Sequence, residues 1–249
     1  GVWVGELDMA QAVANKYGLK IVGLHQHIGS GILDSDKFMS AIGVLLAAAK
    51  NFKNLKFIDL GGGIGVPYSS DQTPIDINAL GKKLSQIMTD FSTNYGKELE
   101  FIVEPGRYLV AESGALLCTV NTIKSTPKHK FVGVDTGFNH LIRPMAYGSY
   151  HPIVNIAAVE APDKEKVLVA GNICETGDVF TLSEQGPVDR ELPILSEGNV
   201  LAIMVAGAYG YSMSSNYNTR PRPAEILVSG KKVSVIRPAE KLESLTGVE

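Results

Sequence analysis

The sequence predicts an α/β segment built from parallel βα units, followed by a second, β-rich domain. Apolar runs of strand length alternate with stripes of helical spacing over the first 115 residues, and each of these strands ends in residues of unusual chemical character. From about residue 116 the helical stripes give way to short apolar runs separated by Gly, Pro, Asp and Asn. The expected domains are therefore 1–115 and 116–249.

The elements follow in chain order. Glu6–Lys16 suits a helix with Leu7, Ala10 and Ala14 on one face, and Gly18 stands where a left-handed C-terminal cap belongs. The run from Lys20 to His27 reads as a buried strand ending in polar groups, and Asp34 or Ser35 caps the next helix. In that helix Phe38, Ala41, Ile42, Leu45, Leu46 and Ala49 form one apolar stripe. A strand over Leu55–Leu60 leads through a glycine loop to a helix from about Asp76 to Tyr95, and Leu99–Val103 is a further strand. Such repetition gathers loops at the C-terminal ends of parallel strands, where these folds place their sites. In the second domain Lys166–Ala170, Asn199–Val205 and Ala224–Val228 are strand-like, and Ser229-Gly230 signals a hairpin leading into Val233–Ile236.

Composition narrows the function classes. Over 249 residues, a hydrophobic content of 45% and a charged content of 20% describe a globular chain able to bury a sizeable core. A net charge of −3 and the lack of a basic run interleaved with aromatics argue against nucleic acid as a partner. The longest apolar stretch, Ala41–Ala49, is too short to cross a bilayer, so no membrane association is expected. Only Cys118 and Cys174 are present, which predicts a reducing, cytoplasmic compartment.

Several segments carry more chemistry than packing needs. Leu60-Gly61-Gly62-Gly63-Ile64-Gly65 follows a strand directly, and its backbone N–H groups suit either a phosphate cradle or a tight turn. His25 and His27 alternate onto one side of their strand, open to structural roles, to metal ligation, for which no third ligand of suitable spacing is evident, or to stacking on a cofactor ring. Glu104-Pro105-Gly106-Arg107 ends another strand with a carboxylate and a guanidinium, which can pair with each other or serve a ligand of mixed charge. Cys174-Glu175-Thr176-Gly177-Asp178 and Gly207-Ala208-Tyr209-Gly210-Tyr211-Ser212 are unremarkable singly.

Taken in order, HQHIGSG, LGGGIGVPY, EPGRYLVAESG, CETGD, GAYGYSMSSNYN and RPRPAE resemble the alanine-racemase-like, fold-type III group of pyridoxal-phosphate decarboxylases, which includes the diaminopimelate, ornithine and arginine enzymes. The resemblance runs through nearly the whole chain. It implies a partial (β/α)8 barrel followed by a β-sandwich-like C-terminal domain, with pyridoxal 5′-phosphate as cofactor and no metal. His27 is expected to stack on the pyridine ring. Ser30, Gly62, Gly63, Gly106, Arg107 and Tyr209 are expected to hold the phosphate, and Glu104 to pair with the ring nitrogen. Cys174 is expected to enter the active site of a neighbouring subunit, near the carbon that is reprotonated, in a head-to-tail homodimer with shared active sites.

Substrate choice rests on Arg107, Arg143, Tyr147, Glu175 and Tyr209. A distal carboxylate calls for Arg107 and Arg143, and a distal ammonium for Glu175, with a hydrogen bond from Tyr147. Arg143-Pro144-Met145-Ala146-Tyr147 resembles the pattern of the diaminopimelate enzymes, which implies decarboxylation of meso-diaminopimelate to L-lysine. The alternatives are a related carboxynorspermidine, ornithine or arginine decarboxylase, or a non-catalytic homologue that acts as a binding protein. Thr176 departs slightly from the serine expected there. A larger departure is that nothing matches the family's Schiff-base lysine motif. A complete barrel needs eight βα units in roughly 250 residues, and residues 1–115 hold fewer than half of them. The expectation is a chain lacking the N-terminal half of the barrel with its lysine, inactive alone.

Overall fold

The computed structural model describes residues 1–247, which form two compact units, Gly1–Leu109 and 110–247. In the first, α1 (Leu7–Lys16) ends at Gly18, whose φ of +67° lets the Leu19 N–H donate back to Ala14 O. β1 (Gly23–His25) follows, shorter than the Lys20–His27 run predicts. It lies at one edge of its sheet, and the residues on either side of Gly23–His25 continue as irregular chain. Asp34 accepts from Asp36 N and caps α2 (Ser35–Ala49), whose Phe38, Ile42, Leu45, Leu46 and Ala49 are buried.

β2 (Phe57–Gly62) is central to a three-stranded parallel sheet in the order β1-β2-β3, with β3 spanning Glu100–Glu104. Between them runs α3 (Ile77–Tyr95), capped by the Asp76 side chain on Ala79 N. Ile42, Leu45, Phe52, Leu55, Ile58 and Phe91 meet in the core between sheet and helices, each worth about 1.5–3 kcal/mol on full burial. The Tyr95 hydroxyl accepts from Leu55 N and donates to Phe52 O, fixing the approach to β2. A short helix, α4 (Gly106–Val110), follows β3.

The second unit is built on a six-stranded sheet of order β10-β7-β5-β4-β11-β6. Its strands are β4 (Leu116–Ser125), β5 (Lys130–Val134), β6 (Ile153–Asn155), β7 (Lys164–Ala170), β10 (Arg190–Pro193) and β11 (Val200–Ile203). All pairings in this sheet are antiparallel except β5 with β7. The core is rich in β-branched residues: Val120, Val132, Val134, Val167, Val169 and Ile203 pack with Leu201 and Phe180. Between β5 and β6 lies α5 (Arg143–Tyr147). A two-residue pair, β8 (Leu182–Ser183) with β9 (Gly186–Pro187), and the hairpin β12 (Glu225–Ser229) with β13 (Lys232–Arg237) complete the strands. The hairpin turns at Gly230 and is followed by α6 (Leu242–Thr246). No helix among the described residues is long and apolar enough to cross a membrane.

Candidate active site

Parallel pairing brings the C-terminal ends of β1, β2 and β3 to one edge of the first unit's sheet. His25 is the register partner of Asp59, whereas Glu104 is the partner of Gly62. An extra residue in β2, between Asp59 and Gly62, produces this offset. Gly61 permits it with a φ of +71°, and Asp59 Oδ1 holds the turn by accepting from Gly61 N at 2.9 Å. A Cβ on Gly61 would come within 2.1 Å of Gln26 O, and one on Gly62 within 2.0 Å of Glu104 O. The glycine run thus does two things: it forms a bulge and lets three strand ends crowd together.

Glu104 Oε2 lies between two imidazoles, 3.5 Å from His25 Nε2 and 3.7 Å from His27 Nδ1. His27 Nδ1 accepts from Gly62 N at 3.2 Å, so the His27 proton sits on Nε2. The third metal-type ligand, not evident in the sequence, is Asp59: atoms of His25, Asp59 and Glu104 lie within 4.8 Å of one another.

Arg107 does not stand alone either. Its Nε and Nη2 donate to Ser30 Oγ at 3.3 and 3.0 Å, and Nη1 donates to Tyr68 OH at 2.6 Å. With its oxygen accepting from the guanidinium, Ser30 keeps its own O–H to donate. A cation and a hydroxyl donor thus stand together in the same unit as a carboxylate flanked by imidazoles. That donor set fits a ligand with an anionic group and a protonated ring nitrogen, as pyridoxal phosphate has. Ser30, Gly62, Glu104, His27 and Arg107 all enter these contacts, Gly63 follows Gly62 in the loop, and Gly106 opens α4 after Glu104-Pro105.

The other sequence-predicted residues lie in the second unit. Arg143 opens α5 and is buried, with Nη2 donating to Ser149 Oγ at 3.1 Å and Nη1 3.5 Å from His151 Nε2. His151 is wholly buried, and its Nδ1 lies 2.9 Å from Met204 O. A carbonyl only accepts and a guanidinium only donates, so the His151 proton is on Nδ1. Tyr147, at the end of α5, is 57% exposed. Met145 of the same helix lies against Gly177, where a Cβ would sit 3.1 Å from its Cγ. The helix and the Cys174–Asp178 loop are therefore neighbours.

Cys174 and Glu175 are exposed on that loop. Its base is pinned by the buried Asp178, which accepts from Phe138 N and Ile173 N at 2.7 Å each. Burial pushes the Asp178 carboxyl up from its ordinary value, against the two N–H donors that favour the charged form. Tyr209 is partly exposed and holds a positive φ of +59°.

The arginines of RPRPAE have structural partners that their sequence did not disclose. Arg220 donates to Asn172 O at 3.2 Å. Arg222 donates to Ser214 Oγ, Ser214 O, Asn216 Oδ1 and Glu240 Oε1, tying the segment after Tyr209 to the chain before α6. Asp59, Tyr68, Ser149 and His151 carry no role in the sequence reading, and His25 only the open choice it shares with His27. Tyr68 sits inside a motif and Asp59 directly before one.

Comparison with known proteins agrees with this chemistry. The family model described as the C-terminal sheet domain of pyridoxal-dependent decarboxylases matches residues 20–207. A diaminopimelate decarboxylase of Methanothermobacter thermautotrophicus is 45% identical over 98% of the chain. A crystal structure of diaminopimelate decarboxylase superimposes with a TM-score of 0.91 at 37% identity over 100% of the chain. The Helicobacter pylori diaminopimelate decarboxylase, solved in complex with L-lysine, gives a TM-score of 0.83 at 36% identity over 98%. The chain spans 57%, 60% and 59% of the length of these three proteins, respectively.

Proposed function

We propose, from the premise that this chain belongs to the pyridoxal-dependent decarboxylase family, that it acts in the decarboxylation of meso-diaminopimelate to L-lysine. The observation carrying this reading is the pairing of Ser30 with Arg107 in the unit where Glu104 lies between two histidines. In this reading the first unit is part of a (β/α)8 barrel, the second is the β-sandwich-like domain, and the Schiff-base lysine belongs to the portion of the relatives' length outside this chain. The protein works in the cytoplasm as a homodimer with shared active sites.

The chemistry that bound pyridoxal phosphate supplies is acceptance of the electron pair released as carbon dioxide departs. Glu104 presents an acceptor for the ring N–H and keeps that proton in place. His27, its tautomer set by Gly62 N–H, offers the flat face of a neutral imidazole. Arg107 and Ser30, with Gly62, Gly63, Gly106 and Tyr209, balance the phosphate charge. Arg107 and Arg143 hold the distal carboxylate, Glu175 the distal ammonium, and Tyr147 and Tyr209 add hydrogen bonds. Cys174 holds the proton that replaces the lost carboxylate. The names of the relatives favour this substrate over ornithine, arginine or carboxynorspermidine.

The test is to incubate the holoenzyme containing these residues with meso-diaminopimelate and follow carbon dioxide and L-lysine. Release of both in equal amounts supports the reading, and faster turnover of ornithine overturns it.

A further inference from the structure

The three strands of the first unit each contribute one group to a single cluster. His25 comes from β1, Asp59 from its register partner position on β2, and Glu104 from the end of β3. Asp59 is not free to turn away, because its Oδ1 accepts from Gly61 N at the bulge. Two carboxylates this close repel each other unless a hydrogen-bond donor lies between them. His27 is unsuited to that task, since its Nδ1, the atom nearest Glu104, already accepts from Gly62 N. His25 Nε2, 3.5 Å from Glu104 Oε2, is suited to it.

We propose that His25 is a positioning residue: steadied by Asp59, it occupies one oxygen of Glu104 and leaves the other to accept from the cofactor's ring nitrogen. This rests on the assignment of Glu104 to that nitrogen. Without the imidazole, Glu104 would turn freely about its last bond and face Asp59 with no donor between. The effect on the cofactor is therefore electronic as well as steric, because the carboxylate that holds the ring proton would no longer be held itself.

The experiment uses holoenzyme loaded with pyridoxal phosphate isotopically labelled at the ring nitrogen, observed by NMR, together with cofactor affinity by equilibrium titration. His25→Leu removes the donor and His25→Gln keeps an N–H. With His25→Leu, affinity falls by about 10- to 100-fold, the loss of one N–H donor beside a charged group, and the nitrogen resonance moves toward its unprotonated position. His25→Gln restores part of both. A resonance unmoved in cofactor-bound His25→Leu overturns the proposal. Should that variant fail to fold, His25→Gln and Asp59→Asn must each give a smaller shift in the same direction, and unshifted spectra in both overturn it equally. A wild-type spectrum with an unprotonated ring nitrogen removes the role of Glu104 itself, which separates failure of the underlying reading from failure of this one.

Discussion

Arg107 Nη2 donates to Ser30 Oγ across 3.0 Å, joining residues 77 positions apart. The contact sets the direction of the guanidinium before any ligand arrives, and a preset donor loses less entropy on binding. Arg107→Ala should therefore weaken pyridoxal phosphate binding by at least about tenfold, and Arg107→Lys should recover only part of it, because an ammonium cannot donate to Ser30 and Tyr68 with the same fork. Spectroscopic titration of the holoenzyme checks both.

Arg143 is held by Ser149 and His151, and so presents its charge from a fixed position. Replacement by Lys should lower kcat/KM for meso-diaminopimelate by about tenfold or more while sparing any activity on a diamino acid without the distal carboxylate. Equal losses on the two substrates would show that Arg143 supports structure and not specificity.

The Glu240 carboxyl is lowered from 4.5 to about 2 by the Arg222 backbone N–H first, then by the side chains of Asn216 and Arg222. A depressed carboxyl contributes stability that is complete above its unfolded value and is lost as pH falls from about 4.5 to about 2. Glu240→Gln should therefore melt lower than wild type at neutral pH, with the gap closing across that window. Thermal melts between pH 2 and pH 7 provide the comparison.

Gly61→Ala should cost at least about 2 kcal/mol, since an L residue is strained at positive φ and its Cβ would strike Gln26 O. Urea denaturation measures it. An effect below about 0.5 kcal/mol would mean that the bulge relaxes.

Burial first, then the charge of Asp135, pushes the Cys118 thiol up to about 12. Cys118 should stay unalkylated at pH 8 until the protein unfolds, as peptide mass spectrometry after iodoacetamide treatment would record.

Local features were readable from the sequence where local chemistry decides them. Asp34 and Asp76 cap α2 and α3 as side-chain chemistry requires, and the stripe from Phe38 to Ala49 is the buried face. β4 leaves no clear strand pattern in the sequence, because Asn121, Thr122 and Lys124 interrupt its apolar run and a bulge lies between Val120 and Thr122. Within the site, the motifs named the groups but not their partners. Glu104 and Arg107, three residues apart, read as a possible pair, yet Glu104 lies beside His25 and His27 while Arg107 reaches Ser30 and Tyr68. Register across three strands makes that choice, and register is a property of distant segments. Arg222 with Glu240 depends likewise on chain brought back by the β12–β13 hairpin between them.

The donor to His27 Nδ1 is the Gly62 main-chain N–H. Side-chain donors are lost when their residues are substituted, but this donor is main chain and has no side chain to lose. Any larger residue at position 62 would also collide with Glu104 O. The imidazole's tautomer is therefore set by the path of the main chain and not by the identity of a neighbouring side chain.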